Sequence, residues 1–385
     1  GAKNAIETFL AKMPKVFDPF AGGGAIPLEA ARLGCSSYGN DINPVAHIIQ
    51  KGSAEFPQKF GKPIVYSKTE FIKIYGEETW KQQPQQNKIV KNGEVIAVNI
   101  NNRLAFDFEF FGKKILKETE KEISFLYPKR DKVKSPIAYY WVRFGICSNP
   151  TCKAEIPLLK QFYLSKLRNE SSKNWIYLEP IIEGNKINFK ISKGICDIDG
   201  YVHRGNLSCP CCGNITDEKE LKSQFINKVT TERIVCEIFN HHNKKEYRII
   251  NDDLSSLDID LQDLIKPTED LPLDSRITNT TLFGYQKWGE LFNARQLKHI
   301  STLISKFKQQ DFFYVDSEYA KAVATYIAIL IDRIIARNTS FGIWHILQET
   351  FEHPFGRQAI FMVFDFPEMN PFSDISSSDY NQCNQ

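Results

Sequence analysis

The sequence predicts an α/β protein whose parallel sheet is interrupted by a β-rich, cysteine-containing insert. Three observations predict it. The first 50 residues show a helix–strand–glycine turn–helix–strand pattern, two close cysteine pairs are separated by alternating sequence, and two apolar helices precede a strand near the end of the chain. With 385 residues, of which 42% are hydrophobic, the chain is long enough for two or three folded units.

The first pattern centres on Asp18-Pro19-Phe20-Ala21-Gly22-Gly23-Gly24. Val16 and Phe17 are expected to end a short buried strand, and the three glycines let the backbone turn sharply without Cβ clashes. The next residues predict a helix that ends at Gly34, with apolar side chains at Ile26, Leu28, Ala30 and Leu33. Free backbone N–H groups and a helix N-terminus then lie beside a crevice that suits a nucleotide-like cofactor.

An acidic residue completes this crevice. Tyr38-Gly39-Asn40-Asp41 is predicted to end the next strand, and Asp41 stands roughly 20 residues beyond the glycines, where a carboxylate can accept hydrogen bonds from both ribose hydroxyls. A phosphate-binding loop would need a Gly-Lys-Ser/Thr ending, which is missing, and Pro27 stands where the dinucleotide pattern needs a small residue. The alternative is a glycine turn in an ordinary α/β domain.

The rest of the chain predicts further elements in order. A turn-rich exit from the sheet at 52–63 is followed by an exposed polar loop at 73–101 and a helix at 104–125. Strands are expected at 138–144, within 160–167 and 175–191, and at 201–207, followed by a turn at 240–243 and an acidic linker at 252–274. Helices at 295–307 and 319–335, a strand at 360–366 and a loose tail from Ser373 complete the chain.

Two cysteine pairs predict a structural metal site. Cys147 and Cys152 are separated by four residues, and Cys209 and Cys212 by two, so that each pair can form a tight knuckle and together supply four thiolates to a tetrahedral zinc ion. Four sulfurs leave no open position for water or substrate, so the predicted role is structural. Cys211 is either a competing ligand or a bystander thiol. Cys35, Cys196, Cys236 and Cys383 have no partner at knuckle spacing.

Several stretches together resemble a known family. They are Asp18–Gly24, Asn40-Asp41-Ile42-Asn43-Pro44-Val45-Ala46, the cysteine-rich insert, and Arg357-Gln358-Ala359 leading into Phe364-Asp365-Phe366 and Asn370-Pro371-Phe372-Ser373. The combination resembles the adenine-specific DNA methylases that contain a zinc ribbon, a family of S-adenosylmethionine-dependent amino-methyltransferases. Arg295-Gln296 also matches that family, either as a phosphate or cofactor contact or as a helix-surface pair.

The resemblance implies a Rossmann-like class I methyltransferase sheet interrupted by a zinc ribbon. It assigns 1–63 to the first part of the methyltransferase domain, 64–145 to a helical or irregular insert, 146–216 to the ribbon, 217–280 to a linker, and 281–385 to the return to the methyltransferase domain. It also implies that Asp18 to Gly24, Asp41 and Asn43 bind S-adenosylmethionine, and that the substrate is the exocyclic amino group of adenine in DNA. A defence-system protein is a further partner suggested by resemblance.

One expected motif is missing. The family uses Asp-Pro-Pro-Tyr to hold the amino group of a flipped base, and these 385 residues contain no such run. The nearest candidates are Asn370-Pro371-Phe372 and Asp365-Phe366-Pro367. The resemblance therefore predicts a fragment that begins after the family's N-terminal region, ends before the catalytic strand and is inactive alone. The alternatives are a natural non-catalytic variant that binds nucleic acid, and an RNA methyltransferase.

The net charge and the hydropathy of the chain limit the kinds of partner that it can have. A net charge of +3 gives little bulk attraction for nucleic acid, so DNA binding requires a local basic face. Lys153, Lys160, Lys166, Arg168 and Arg204 lie near the cysteines and are either that face or ordinary exposed side chains. The most apolar stretch, 322–331, is too short to span a bilayer, and no signal peptide is visible. Nine cysteines without such a signal predict metal binding in a reducing cytoplasm.

Overall fold

A computed structural model describes residues 2–129, 135–241, 244–250, 259–310, 317–356, 359–373 and 379–384. The fold is mixed α/β, which confirms the broad class predicted. The chain divides into two compact units: unit 1 comprises Gly1–Lys114 and Gln309–Leu330, and unit 2 comprises Ile115–Lys308 and Ile331–Gln385.

The elements in chain order have the following bounds. The α-helices are α1 (Ala2–Leu10), α2 (Ala25–Arg32), α3 (Pro44–Gln50), α4 (Phe56–Phe60), α5 (Lys68–Gln82), α6 (Arg103–Ile123), α7 (Glu218–Ile226), α8 (Ala294–Lys308), α9 (Ser317–Ala336) and α10 (Asp379–Asn384). The strands are β1 (Lys15–Asp18), β2 (Ser36–Gly39), β3 (Ile64–Ser67), β4 (Lys88–Lys91), β5 (Glu94–Ile100), β6 (Ala138–Ile146), β7 (Glu155–Pro157), β8 (Tyr163–Ser165), β9 (Ile176–Glu183), β10 (Lys186–Lys193), β11 (Val202–His203), β12 (Asn206–Ser208), β13 (Ile215–Thr216), β14 (Thr231–His241), β15 (Lys244–Ile249), β16 (Ile343–His345), β17 (Thr350–Glu352) and β18 (Asp365–Met369).

Unit 1 begins with the predicted helix, strand, glycine turn, helix and strand. β1 and β2 are parallel, with Phe17 opposite Tyr38, and α2 makes the connection between them. Gly22 and Gly24 have φ angles of 52° and 85°, a region that side chains with a Cβ rarely adopt, so the turn depends on glycine at these two positions. Gly34 follows the end of α2 with a φ of 91°, as expected for a helix stop.

The prediction that this first strand is buried is wrong. Phe17 is 64% exposed, and Leu33 on the predicted apolar face of α2 is 71% exposed, whereas Pro27 and Ala30 are buried. A Cβ on Gly39 would lie 3.0 Å from Pro27, so α2 covers the face of the sheet to which Gly39 points. Since neighbouring residues of a strand point to opposite faces, Phe17 and Tyr38 lie on the other face, which stays open to solvent among the described residues.

Residues 52–63 and 73–101 are not the predicted turn and exposed loop. The first stretch holds a π-helical turn, Lys51–Glu55, and α4, while the second continues α5 and forms the antiparallel sheet β3–β5–β4. Phe71 and Val98 are completely buried, and Tyr75 and Trp80 nearly so. Asn92 and Gly93, with φ angles of 53° and 81°, form the two-residue turn between β4 and β5. This Asn-Gly pair was the sequence signal for the hairpin.

The helices expected at 104–125 and 319–335 are confirmed as α6 and α9. Within unit 1, Asp107 on α6 is buried and accepts hydrogen bonds from the hydroxyls of Tyr75 and Tyr319, at 2.6 and 2.5 Å. Burial raises the pKa of the Asp107 carboxyl, and the two hydroxyls oppose that rise. The aromatic cluster and this carboxyl therefore link α5, α6 and α9 at one point.

Unit 2 is built on an antiparallel sheet in the order β15–β14–β6–β18, with β7 also paired to β6. The strand expected at 138–144 is confirmed as β6, whereas the strand expected at 360–366 begins only at Asp365. β18 pairs antiparallel with β6 and not with the parallel β1–β2 pair. The predicted turn at 240–243 overlaps β14, which continues to His241, and His242 and Asn243 lie outside the described residues.

Smaller sheets and a helical layer complete unit 2. The antiparallel sheets β8–β9–β10 and β11–β12–β13 confirm the short strands expected between the cysteine pairs. The sheet β16–β17 was not predicted, and α8 confirms the helix expected at 295–307. Part of the predicted linker at 252–274 lies outside the described residues. The described part includes Leu271, which is 2% exposed and packs in the core of the unit, so that part is not a loose connection.

The tail from Ser373 is not entirely loose. Residues 374–378 lie outside the described residues, but α10 follows them, and Cys383 is 4% exposed. Asp379 Oδ2 lies 2.7 Å from Nε2 of the buried His299, and the side-chain amide of Asn338 lies 2.9 Å from Nδ1 of the same ring. The histidine therefore connects α8, the end of α9 and α10. No helix in the described residues is both long enough and apolar enough to cross a bilayer.

Candidate metal centre and nucleotide site

The four predicted metal ligands lie in two turns. Cys147 and Cys152 lie in the connection between β6 and β7, and Cys209 and Cys212 in the connection between β12 and β13. The first turn is closed by the Cys147 N–H donating to the carbonyl of Ala154, and the second by the Cys209 N–H donating to that of Asn214, both at 2.9 Å. Each hairpin thus presents two thiols.

The structure brings these four sulfur atoms together. The Sγ atoms of Cys147 and Cys212 are 3.6 Å apart, those of Cys152 and Cys209 are 3.8 Å apart, and all four lie within 4.8 Å of one another. A disulfide needs an S–S distance of about 2.05 Å, so these are not disulfides. Four thiolates at about 2.3 Å from a tetrahedral zinc ion would be about 3.8 Å apart. The cluster could therefore hold a metal ion, and its spacing is compatible with zinc.

The local electrostatics differ between the ligands. The backbone N–H of Asn214 lowers the pKa of Cys212 to about 7, whereas burial raises the pKa of Cys147. A dication at the centre of the cluster would favour the thiolate form of every ligand. Cys211 is half-buried beside Cys212, and burial raises the pKa of its thiol. Cys211 is not one of the four clustered sulfurs.

The remaining cysteines lie apart from this cluster in the described residues. Cys236 and Cys383 are buried, and Cys35 and Cys196 are half-buried. Burial raises the pKa of the Cys236 thiol, so this group behaves as a small apolar side chain.

The glycine turn and Asp41 are also adjacent. The Gly22 N–H donates to Asp41 Oδ2 at 2.8 Å, and the Asn43 N–H donates to Asp41 Oδ1 at 2.9 Å. These bonds, with that from Asn43 the larger, lower the pKa of Asp41 and keep it ionised. Each carboxylate oxygen has a second lone pair, so the group can still accept hydrogen bonds from two hydroxyls. The remaining acceptor positions of Asp41 therefore fit the two hydroxyls of a ribose.

Asn43 itself has a local role in positioning Asp41. Its side-chain oxygen accepts a hydrogen bond from the Val45 N–H at 2.9 Å and caps the N-terminus of α3. Gln50 at the end of α3 donates from Nε2 to the Gly22 carbonyl at 3.0 Å. Both ends of α3 therefore hold the glycine turn against the residues that follow β2.

A cavity of about 480 Å³ lies among residues of α2, β2 and α3. It is lined by Gly24, Pro27, Gly39, His47 and Gln50 among others, but by none of Asp18 to Gly23, Asp41 or Asn43. Phe20, within the glycine motif, is 88% exposed. Of the predicted cofactor residues, Gly24 alone therefore lines this cavity.

The weak catalytic candidates form a structural turn after β18. Asn370 is 1% exposed, its Nδ2 donates to the Pro136 carbonyl at 2.8 Å, and its Oδ1 accepts from the Phe372 N–H at 3.0 Å. Pro371 lies between them and is buried, while the Phe372 ring contacts those of Tyr127 and His299 edge-on. These residues belong to unit 2, and the glycine turn belongs to unit 1.

The second catalytic alternative, Asp365-Phe366-Pro367, lies within β18. Asp365 accepts a hydrogen bond from the Tyr140 hydroxyl, and burial raises the pKa of its carboxyl. The Phe366 ring stacks on that of Trp141 at 5.8 Å. Arg357 and Gln358, the other stretch that resembles the family, lie outside the described residues.

Arg295 and Gln296 are not a helix-surface pair, since they are 2% and 0% exposed. Arg295 Nε lies 3.1 Å from Glu368 Oε1, and its guanidinium lies between the rings of Tyr127 and Tyr139, at 4.6 and 4.4 Å from their centroids. Glu368 Oε2 accepts from Trp141 Nε1 at 2.6 Å. Phosphate could not reach this arginine without opening the core.

Comparison with models of known protein families, with curated proteins and with solved structures found no match.

Proposed function

We propose that this chain functions in S-adenosylmethionine-dependent methylation of the exocyclic amino group of adenine in DNA. The observation that carries the proposal is the hydrogen bond from Gly22 to Asp41, which joins the glycine turn to an ionised carboxylate at the carboxyl ends of two parallel strands. Ligands of open parallel sheets bind at this edge. Together with the resemblance of both motifs to amino-methyltransferases, this geometry favours a nucleoside cofactor.

When bound, S-adenosylmethionine supplies an electrophilic methyl group on a sulfonium. Asp41 would hold the ribose hydroxyls, and the N–H groups of the glycine turn would lie beside the rest of the molecule. The contribution of this chain is therefore to bind and orient the methyl donor. An Asp-Pro-Pro-Tyr run, which would hold the target amino group, is not among these 385 residues.

The metal in this proposal is a structural zinc ion held by Cys147, Cys152, Cys209 and Cys212. Four thiolates complete a tetrahedral shell, so the ion would have no open position for water or substrate. Its role would be to hold the β6–β7 and β12–β13 hairpins together in a zinc ribbon.

A second candidate is a non-catalytic nucleic-acid-binding protein that keeps the cofactor fold as a scaffold. The observation in its favour is the burial of Asn370 and its hydrogen bonds within the chain, because the nearest match to the catalytic motif then has a structural role. An RNA methyltransferase is a variant of the first proposal, since a flipped base does not by itself distinguish DNA from RNA.

Calorimetric titration with S-adenosylmethionine tests the first proposal. We expect the chain to bind the cofactor, and Asp41→Ala to weaken binding about 10- to 100-fold, because hydrogen bonds to a charged group contribute about 1.5–3 kcal/mol. Asp41→Asn keeps a side-chain oxygen that can still accept a hydrogen bond from the glycine turn. Comparing it with Asp41→Ala therefore separates loss of the ribose contact from loss of the local fold. Glu29→Ala, which removes an exposed carboxylate paired with Arg32, is the matched control.

Two results would contradict this assignment. Equal affinity of Asp41→Ala and the parent chain would show that Asp41 does not hold the ribose. Absence of any heat of binding in the parent chain, with circular dichroism showing a folded protein, would favour the non-catalytic candidate.

A further inference from the structure

An aromatic cluster lies on the three-stranded sheet between the two cysteine pairs. Tyr163 on β8 pairs with Tyr177 on β9, and their ring centroids are 6.0 Å apart. Trp175 immediately precedes β9, and its ring lies 5.7 Å from that of Tyr163. Leu178 is 1% exposed and points to the core. By strand alternation, Trp175 and Tyr177 lie on the opposite, outward face, where all three aromatic residues are half-buried.

A cation lies on this cluster. Lys166 Nζ is 4.4 Å from the centroid of the Tyr163 ring and 4.3 Å from that of Trp175. The Tyr163 hydroxyl accepts a hydrogen bond from the Cys196 N–H at 2.8 Å, which fixes the orientation of the ring. The Trp175 indole nitrogen is buried, so it is the ring face and not the N–H that is open to a ligand. The cluster therefore combines oriented rings and a positive charge.

The surrounding sequence is basic. Residues 160–193 contain seven Lys and Arg residues against three Glu, a net charge of +4, while the whole chain carries only +3. The exposed cations of this segment are Lys160, Arg168, Lys173, Lys186, Lys190 and Lys193. The segment that forms β8–β9–β10 is therefore more basic than the chain as a whole, and Lys186 and Lys190 lie on the outward face of β10 by alternation with the buried Ile187 and Phe189.

We propose that this face, defined by Tyr163, Lys166, Trp175 and Tyr177, binds single-stranded nucleic acid. Bases would stack on the rings, and phosphates would contact Lys166 and the exposed cations around it. The faces of bases in an intact duplex are covered by their neighbours, so stacking requires a single strand or an unpaired segment. The proposal deepens the proposed function by naming the surface that holds the nucleic acid, and it rests on that function only for the choice of partner.

Fluorescence anisotropy with a labelled 20-nucleotide oligothymidylate, and with a 20-base-pair duplex, tests the proposal. We expect the parent chain to bind the single strand more tightly than the duplex. Trp175→Leu combined with Tyr177→Leu should weaken single-strand binding at least about tenfold, since each lost stacking contact is worth about 5- to 150-fold in affinity. Lys166→Gln should remove about one phosphate contact. The slope of the logarithm of the binding constant against the logarithm of the salt concentration should therefore become less steep by about that contact.

Matched controls come from the same unit. Phe125→Leu removes an aromatic ring that is 64% exposed, and Lys219→Gln removes an exposed cation of α7; neither should change the affinity. Circular dichroism and bound metal content should show that the variants of the aromatic face are folded.

Three outcomes would overturn the proposal: no binding of either oligonucleotide by the parent chain, equal single-strand affinity of the Trp175/Tyr177 double variant, or tighter binding of the duplex that is independent of the rings. Titration of the parent chain with S-adenosylmethionine, alongside its titration with the oligonucleotide, distinguishes the two proposals. Oligonucleotide binding without cofactor binding would remove the methyltransferase proposal and leave this surface intact.

Discussion

Cys209→Ser is expected to release the proposed zinc ion and to unfold the two cysteine turns. The sulfur of Cys209 is 3.8 Å from that of Cys152 and completes the cluster of four. Structural zinc sites contribute about 10–16 kcal/mol in apparent binding free energy, as much as the whole stability of an average domain. We therefore expect complete loss of bound zinc, measured after denaturation with a colorimetric chelator, and a marked decrease in the Tm.

The matched control for this prediction is Cys211→Ser, which changes a thiol next to Cys212 that is outside the cluster. The Cys211 variant should retain one zinc per chain and the Tm of the parent. A Cys209 variant that still holds one equivalent of zinc, or a parent chain that holds none after expression with added zinc, would show that this cluster is not a zinc site.

Glu368→Gln is expected to reduce the free energy of unfolding of unit 2 by about 3–5 kcal/mol, because it leaves the Arg295 guanidinium buried without its counter-charge. Both side chains of the pair are almost fully buried, at 2% and 0% exposure. Urea unfolding monitored by tryptophan fluorescence measures the change, since Trp141 donates to Glu368.

Two further variants test whether the effect belongs to the buried pair. Glu179→Gln breaks the partly exposed ion pair with Lys190 and should cost less than about 1 kcal/mol. Arg295→Met combined with Glu368→Leu removes both charges and should recover much of the stability that Glu368→Gln loses. A loss as small as that of the Glu179 variant would contradict the assigned importance of the Arg295–Glu368 pair.

The sequence could predict the glycine turn and the cysteine cluster, because both depend on residues that are close together in the chain. The run of three glycines, followed by a helix that ends at Gly34, identified the β1–turn–α2–β2 unit, and two of these glycines have positive φ angles in the structure. The cysteine spacing identified the four clustered sulfurs. The same reasoning missed β4 and β5, although Asn92-Gly93 signalled their turn, because the polar composition of 73–101 concealed the aromatic side chains that form a core.

Other features depend on partners that are distant in sequence. Arg295 and Glu368 are far apart along the chain, and nothing local to either residue indicates that Trp141, Tyr127 and Tyr139 enclose them. The start of β18 is likewise set by its pairing with β6. The aromatic face around Lys166 arises from strand pairing between β8 and β9, whereas sequence reasoning treated Lys166 only as one cation among several.

The open side of the β1–β2 pair has a consequence for handling the protein in solution. Phe17 and Tyr38 lie side by side there at 64% and 55% exposure, and Ile42 just beyond them is fully exposed. An apolar patch beside strand edges that have no partner strand among the described residues attracts amphiphiles and other copies of the same molecule. Purified chain should therefore make the dye ANS fluoresce in its native state and form larger species as its concentration rises, and Phe17→Ser with Tyr38→Ser should diminish both effects.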